Sequence, residues 1–299
     1  MPRRLIPEFT DGRNVHEGSA MRKRQCICAV IMGLGLLVAS SGAQQKVTRY
    51  VRYALKGTVS YGILEGEIIR PVTGNIFENP ETSSTTVRLS DVRLLAPCQP
   101  SKVIAVGLNY KSHLGERAPA AYPGLFAKLT SSIIGPDDLI LLPPDATNTH
   151  YEGELVLVIG KRGKNITPAE APRYIFGITA GNDVSERGWQ QSDLQWFRAK
   201  SSDTFGPIGP AIAQGLNYDD LLVETRVNGE VRQSERTKNL VFSTSAIVSY
   251  VSKYVTLQPG DLIFTGTPGE TNAIKPGDVV EVEVEGVGVL RNKVVRVHS

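Results

Sequence analysis

The segment 154-ELVLVIG-160 constrains the fold more than any other part of the chain. Its aliphatic run, 155–159, is continuous and closed by a glycine, which is typical of a buried β-strand. Two carboxylates, Glu152 and Glu154, flank the start of this run. Because side chains alternate faces along a strand, both carboxylates point to the same side, about 7 Å apart. Two like charges at the buried end of a strand need compensation.

A bound divalent cation would supply that compensation, since carboxylate oxygens are the ligands that Mg²⁺ and Mn²⁺ prefer. A third ligand is expected from a neighbouring strand end, and 176-FGITAGNDVSER-187 offers Asp183 directly after an apolar run. The alternative is an exposed strand edge on which Glu152 and Glu154 pair with Lys or Arg. Strand geometry alone leaves both interpretations open.

Strand-like segments outnumber helical ones in the rest of the chain. Of the 299 residues 41% are hydrophobic and 21% charged, a globular balance. The segment 222–232 is predicted to be a strand, and helices are predicted over 184–199 and 243–255. Helices and strands do not alternate regularly, which argues against doubly wound and TIM-barrel folds. The sequence predicts a mixed β-rich α+β fold, a roll or sandwich, with a small β-rich N-terminal module at 44–100 and a larger domain at 101–299.

Residues 1–43 are interpreted as a leader. A basic start at 22–24 precedes an apolar core, 26–39, and the small residues Ser41 and Ala43. This order is typical of a secretory signal peptide over 21–43, and the core is shorter than the roughly 20 residues of a membrane span. We therefore expect cleavage after Ala43, export, and no stable membrane insertion afterwards. The alternative is an uncleaved N-terminal anchor.

Charge and cysteine content bear on nucleic-acid binding and on disulfide bonds. The leader holds six of the 33 basic and three of the 30 acidic residues, which leaves 27 of each. A neutral domain without a basic stripe gives no reason to expect nucleic acid as a partner. Of the three cysteines only Cys98 lies beyond the leader, so the rest of the chain forms no internal disulfide.

Four motifs in order identify the chain as similar to the fumarylacetoacetate hydrolase family. They are 150-HYEGELVLVIGK-161, 181-GNDVSERGWQ-190, 197-FRAKSSDTFGPIGP-210 and 265-TGTPGE-270. The resemblance covers roughly residues 103–297. It implies a β-sandwich roll, a Mg²⁺ or Mn²⁺ site, a homodimer, and small-molecule substrates that carry a pyruvoyl or other 2-oxo acid unit. Most members of the family are cytoplasmic, which is the alternative to export.

The resemblance also implies roles for individual residues. Ten positions match functional positions of the family: metal ligands Glu152, Glu154 and Asp183; catalytic His113, Glu116 and Lys200; substrate-binding Tyr110, Arg187, Gln190 and Thr267. His113 and Glu116 lie in 107-GLNYKSHLGE-116, which resembles the family's mobile lid. Their spacing of three places both on one side of a helical turn, where Glu116 would orient His113 as the base.

One departure from the family bears on the reaction. Some members that cleave fumarylacetoacetate supply a fourth carboxylate from the strand before the lid, but 103-VIAVGLNY-110 contains no Asp or Glu. The chain therefore resembles the broader branch of acylpyruvases and 5-carboxymethyl-2-hydroxymuconate isomerases, which includes enzymes of aromatic compound catabolism. We expect C–C hydrolysis that releases pyruvate or a related 2-oxo acid, through an enolate that the metal ion stabilises. The alternatives are an isomerase, tautomerase or decarboxylase of hydroxymuconate- or oxaloacetate-type compounds, and an exported protein that binds without catalysis.

Overall fold

The computed structural model of the protein describes residues 46–297, so the predicted signal peptide at 21–43 lies outside the described part. In chain order its strands are β1 Thr48–Leu55, β2 Thr58–Glu65, β3 Ile68–Thr73, β4 Glu81–Thr82, β5 Val87–Arg88, β6 Arg93–Leu95, β7 Val103–Gly107, β8 Gly124–Lys128, β9 Ile133–Ile134, β10 Ile140–Leu142, β11 Thr149–His150, β12 Gly153–Ile159, β13 Ile175–Asn182, β14 Ser185–Glu186, β15 Gly206–Gln214, β16 Leu222–Val227, β17 Glu230–Arg236, β18 Leu262–Phe264, β19 Val279–Val284 and β20 Gly288–Arg296. The α-helices are α1 Lys111–Leu114, α2 Arg187–Ser192, α3 Phe197–Ser201 and α4 Thr244–Tyr254.

The largest sheet runs through most of the described chain. Its strand order is β4-β3-β2-β1-β15-β13-β12-β18-β7-β8, with β5, β6 and β9 attached to β3, β1 and β15. Strand β1 pairs antiparallel with β15, so that Thr48 lies opposite Gln214. Strands from both sides of the predicted boundary near residue 100 therefore share one sheet.

A second sheet, ordered β10-β20-β19-β16-β17, packs against the first across the main core. The odd-numbered residues of β12, from Leu155 to Ile159, share this core with residues of β16, β19 and α4. The even-numbered residues, Val156 and Val158, face a separate core with residues of β7, β15 and β18. Strand β12 is buried on both faces, which explains its continuous aliphatic sequence.

The helices are short. The longest, α4, has 11 residues and is capped by Ser243, whose hydroxyl accepts the N–H of Ala246. Among residues 46–297, no helix has both the length and the apolar character needed to cross a membrane. The prediction of a mixed, β-rich fold with few helices is confirmed.

Candidate metal centre and active site

Three carboxylates converge where β12 begins and β13 ends. Glu152 precedes β12, Glu154 is its second residue, and Asp183 follows β13. The two strands pair antiparallel, and the Asp183 N–H donates to the Glu152 carbonyl at 2.9 Å. The side chains of Glu152, Glu154 and Asp183 each offer one oxygen, and these atoms lie within 4.8 Å of one another. We call these three residues the acidic triad.

The residue between the two glutamates, Gly153, has to be a glycine. A Cβ at Gly153 would lie 1.9 Å from Oγ1 of Thr225 and 3.3 Å from Val282, so no larger residue fits there. Strand alternation then turns both glutamate side chains to the opposite face. The second sheet therefore packs closely behind the triad, and the carboxylates face the other way.

Two buried lysines lie against the triad. Nζ of Lys200 in α3 donates to Oε2 of Glu152 and to Oδ2 of Asp183, each at 2.6 Å. Nζ of Lys128, at the end of β8, donates to Oδ1 of Asp183 at 2.6 Å and also to the carbonyl oxygen of Lys200. Both oxygens of Asp183 are thus held by ammonium groups.

The two glutamates experience opposite electrostatic environments. Burial alone would raise the pKa of Glu152, but the cations of Lys200 and Arg187 outweigh it and hold that pKa below its usual range. The pKa of Glu154 is raised well above its usual value, because it is buried beside the carboxylates of Asp183 and Glu152. Within the described part of the chain Glu154 forms no salt bridge; its Oε2 accepts the Gly266 N–H at 2.7 Å.

This donor set fits a hard divalent cation. Glu154 has no cationic partner among the described residues, although its carboxylate is buried within 4.8 Å of two others. Mg²⁺ and Mn²⁺ both bind through carboxylate oxygens and would supply the positive charge. The alternative of an exposed strand edge is wrong, because Glu152 and Glu154 are 4% and 2% exposed. The structure therefore contains a site at which the predicted metal would bind.

A cavity of about 870 Å³ opens over the acidic triad, and the lid residues line it. Nδ1 of His113 in α1 donates to the carbonyl oxygen of Gly269 at 2.5 Å. Helix α1 ends at Leu114, because Gly115 adopts φ +60°, and Glu116 lies beyond the helix. Among the described residues Glu116 forms no hydrogen bond to His113. The helical turn expected to join His113 and Glu116 is not formed, and the Gly269 carbonyl holds the ring; that Glu116 orients His113 stays a prediction.

Ser112 fastens the same helix to the opposite loop. Its hydroxyl accepts the Gly269 N–H at 2.9 Å and donates to Glu235. Two consecutive residues of α1 thus contact the backbone of Gly269. The lid is held over the cavity at this point.

Arg187 and Gln190 also line the cavity, at the start of α2. The Arg187 guanidinium donates to Oε1 of Gln190 at 2.7 Å, to Oγ1 of Thr271 at 2.8 Å, and to Glu152. Arg187 and Gln190 therefore lie beside the acidic triad. A residue that binds the carboxylate of a substrate at the triad has to lie there.

The two remaining predicted substrate-binding residues differ in position. Thr267 lies on the cavity wall, where its hydroxyl donates to the Gly153 carbonyl at 2.9 Å and accepts from Gln233 at 2.8 Å. Tyr110 is fully buried and does not line the cavity. Its backbone pairs with Leu240 at an isolated bridge. Its hydroxyl has no hydrogen-bond partner among the described residues, and substrate binding by Tyr110 stays a prediction.

Sequence reasoning missed two residues of the site. Lys128 is one; a lysine that ends the otherwise uncharged strand 124-GLFAK-128 is its only local signal. Gln233 is the other; it is buried in β17 and donates to Thr267 and to the carbonyl of Pro268. Both reach the site through strand pairing between distant segments.

The comparison with family models decides the classification. Residues 102–295 match the model of the fumarylacetoacetate (FAA) hydrolase C-terminal domain, and residues 48–97 match the Rv2993c-like N-terminal model. The chain belongs to the fumarylacetoacetate hydrolase family. The predicted resemblance is confirmed, and the chain is an enzyme of the hydrolase and isomerase group that this family comprises.

Three relatives show the range of activities among similar proteins. The rat mitochondrial oxaloacetate tautomerase Fahd2a is 43% identical over 221 residues, 69% of this chain and 70% of its own. The crystal structure of a 2-hydroxyhepta-2,4-diene-1,7-dioate isomerase from Mycobacterium marinum is 42% identical, with a TM-score of 0.80, and covers 84% of this chain and all of its own. A maleylpyruvate hydrolase from Sphingobium sp. SYK-6, in complex with manganese(II) and pyruvate, is 26% identical, with a TM-score of 0.71 over 84% of this chain and all of its own.

Proposed function

We propose that this protein is a divalent-metal-dependent enzyme that moves a proton between carbon and oxygen of 2-oxo acids, interconverting their keto and enol forms. One observation carries the proposal. The acidic triad shares its cavity with a histidine, His113, whose Nδ1 is already used by the Gly269 carbonyl. That hydrogen bond leaves Nε2 as the ring nitrogen that accepts a proton.

The chemistry divides among a few groups. A divalent ion held by the triad would act as a Lewis acid and stabilise negative charge on the oxygens of a 2-oxo acid. His113 removes a proton from the carbon beside the keto group and returns it in the reverse direction. Burial lowers the pKa of Lys200, but the carboxylates of Asp183 and Glu152 outweigh burial and raise that pKa, so Lys200 stays charged. Its positive charge stabilises the negative charge on the enolate oxygen. Arg187 holds the carboxylate.

Hydrolysis of a C–C bond is the second candidate, and two observations favour it. Glu116 lines the cavity, and the manganese-containing relative with pyruvate is a maleylpyruvate hydrolase. In this reaction His113 takes the proton from a water molecule, whose oxygen attacks the distal carbonyl carbon. The C–C bond then breaks, and its electron pair stays with the pyruvate enolate, which takes up a proton. We place proton transfer first, because it needs one base, and Glu116 forms no hydrogen bond to His113 among the described residues.

Location and assembly stay predictions. Export depends on cleavage of residues 21–43, which lie outside the described part, and fractionation of cells that produce the protein tests it. The predicted homodimer is tested by light scattering on the purified protein. Neither bears on the chemistry of the cavity.

The test of the function follows two signals in one reaction. Purified protein with Mg²⁺ receives oxaloacetate or acetylpyruvate, enol absorbance is recorded, and pyruvate is assayed in the same tube. Metal-dependent loss of absorbance without pyruvate supports proton transfer, and matching pyruvate from acetylpyruvate supports hydrolysis. If neither signal exceeds that of an EDTA-treated sample, the proposed function is wrong and a non-catalytic binding protein becomes the better account.

A further inference from the structure

The cavity has an aromatic wall beside the acidic triad. Phe126 in β8 and Trp196 before α3 meet edge to face, with ring centroids 5.2 Å apart. Nζ of Lys200 lies 5.0 Å from the Phe126 centroid and 2.6 Å from oxygens of Glu152 and Asp183. These distances place the Trp196 ring within about 10 Å of Lys200 Nζ. We call the pair the Phe126–Trp196 wall; it begins next to the triad and leads outward.

Gly107 lies against the Trp196 ring of this wall. Gly107 of β7 and Gly124 of β8 are paired across the strands. A Cβ at Gly107 would lie 3.7 and 3.8 Å from atoms of the Trp196 ring. Neither glycine has a positive φ, so the backbone does not demand them. A Cβ at these distances makes ordinary van der Waals contact, so alanine would fit at position 107, whereas the branches of a larger side chain would press against the Trp196 ring.

Two cations near the wall, Arg198 and Lys200, already have acidic partners, and Arg117 lines the same cavity. Arg198, the nearest cation along the chain, donates to Asp193 at 2.7 Å and stacks over Trp189 at 4.5 Å. Arg187 and Lys200 are engaged at the triad. Trp196 nevertheless leaves 36% of its surface exposed. Covering exposed aromatic surface in a cavity with an apolar group is favourable, because it removes apolar surface from water.

We infer that the Phe126–Trp196 wall binds the far end of the substrate and selects 2-oxo acids whose tail is flat and uncharged, such as an aromatic ring or a conjugated acyl chain. The inference rests on the proposed function, because the triad must first bind the 2-oxo acid head. With the head there, the tail passes Phe126 and stacks on Trp196. A tail of one methyl group ends before the Trp196 ring.

The test compares two substrates that differ only in the tail. Benzoylpyruvate and acetylpyruvate share the head, and loss of enol absorbance reports either proton transfer or cleavage. In the wild type kcat/KM is expected to be higher for benzoylpyruvate. In Trp196→Ala the ratio of the two kcat/KM values should fall about tenfold, mostly through KM, because the stacking surface is lost. Trp196→Phe should restore most of the ratio.

Two further variants complete the design. Phe197→Ala removes the neighbouring aromatic side chain, which is 64% exposed and does not line the cavity, so the ratio should stay at the wild-type value. Gly107→Val adds branches against the Trp196 ring and should lower the ratio; it carries the test if Trp196→Ala does not fold.

Three outcomes would overturn the inference. Turnover of both substrates with an unchanged ratio in Trp196→Ala and Gly107→Val would refute it and leave the proposed function standing. If the wild type prefers oxaloacetate and Arg117→Ala abolishes that preference, then Arg117, which lines the cavity, selects a charged tail instead. Absence of metal-dependent turnover with every substrate would overturn the proposed function and the inference together.

Discussion

Lys128 and Asp183 form a salt bridge with no access to solvent: Nζ and Oδ1 are 2.6 Å apart, and their side chains are 0% and 1% exposed. Burial lowers the pKa of Lys128, and the Asp183 carboxylate opposes that shift. The same ammonium group holds the carbonyl of Lys200. Lys128 thus fixes both a predicted metal ligand and the backbone of a predicted catalytic residue.

Replacing Lys128 with Met should destabilise the metal-free protein by about 3–5 kcal/mol, because a buried carboxylate loses its partner. Saturating Mn²⁺ should recover part of this loss, since the ion supplies positive charge to the same cluster. Urea unfolding with EDTA and with Mn²⁺ measures both effects. Lys161→Met, at an exposed position, should change stability by no more than about 0.5 kcal/mol. A loss below about 1 kcal/mol for Lys128→Met would show that the salt bridge is dispensable.

The raised pKa of Glu154 predicts how stability depends on pH. The folded, metal-free protein keeps the Glu154 proton at pH values where the unfolded chain, with a pKa near 4.5, has lost it. This contribution is complete below pH 4.5, and it is lost as pH rises through the raised pKa, by up to about 1.4 kcal/mol per pH unit. Unfolding of the EDTA-treated protein at several pH values measures the slope.

Glu154→Gln is the matched control for that slope, because glutamine has a similar shape and does not titrate. Its difference from the wild type should grow with pH above 4.5 and favour the variant. Parallel pH profiles for the two proteins would contradict the account of Glu154 as a buried carboxylate without a cation.

His113→Gln should separate catalysis from metal binding. Loss of the base should lower kcat about 10²- to 10⁴-fold. Its hydrogen bond is to the Gly269 carbonyl and not to a predicted metal ligand, so Mn²⁺ affinity should stay close to that of the wild type. Steady-state kinetics and calorimetry on the same preparation test both statements. A variant that turns over at the wild-type rate would exclude His113 as the base.

The acidic triad was predictable because its information is local. Alternation along β12 sets Glu152 and Glu154 on one face, and Asp183 follows the strand that pairs with it. Lys128 and Trp196 were not predictable in this way. They reach the cavity through the β7–β8 pairing and the packing of α3, which depend on residues far apart in the chain.

Two predicted elements show the limit of local patterns. The segment 222–232, predicted as one strand, is a hairpin of β16 and β17, with its turn at Asn228 and Gly229, both at positive φ. Asn-Gly is a strong hairpin signal and outweighs the apolar pattern around it. The helix predicted over 184–199 is divided into α2 and α3, and the side chain of Asp193 in the break pairs with Arg198.

Binding of Mn²⁺ to the EDTA-stripped protein, measured by calorimetry, tests the central claim most directly. The wild type should bind one ion per chain, and Glu154→Gln should weaken binding at least about 100-fold, because it removes one of three ligands. The exposed Glu170→Gln should bind as the wild type does. Equal affinity of the wild type and Glu154→Gln would contradict the assignment of the triad as the metal site, and with it the proposed chemistry.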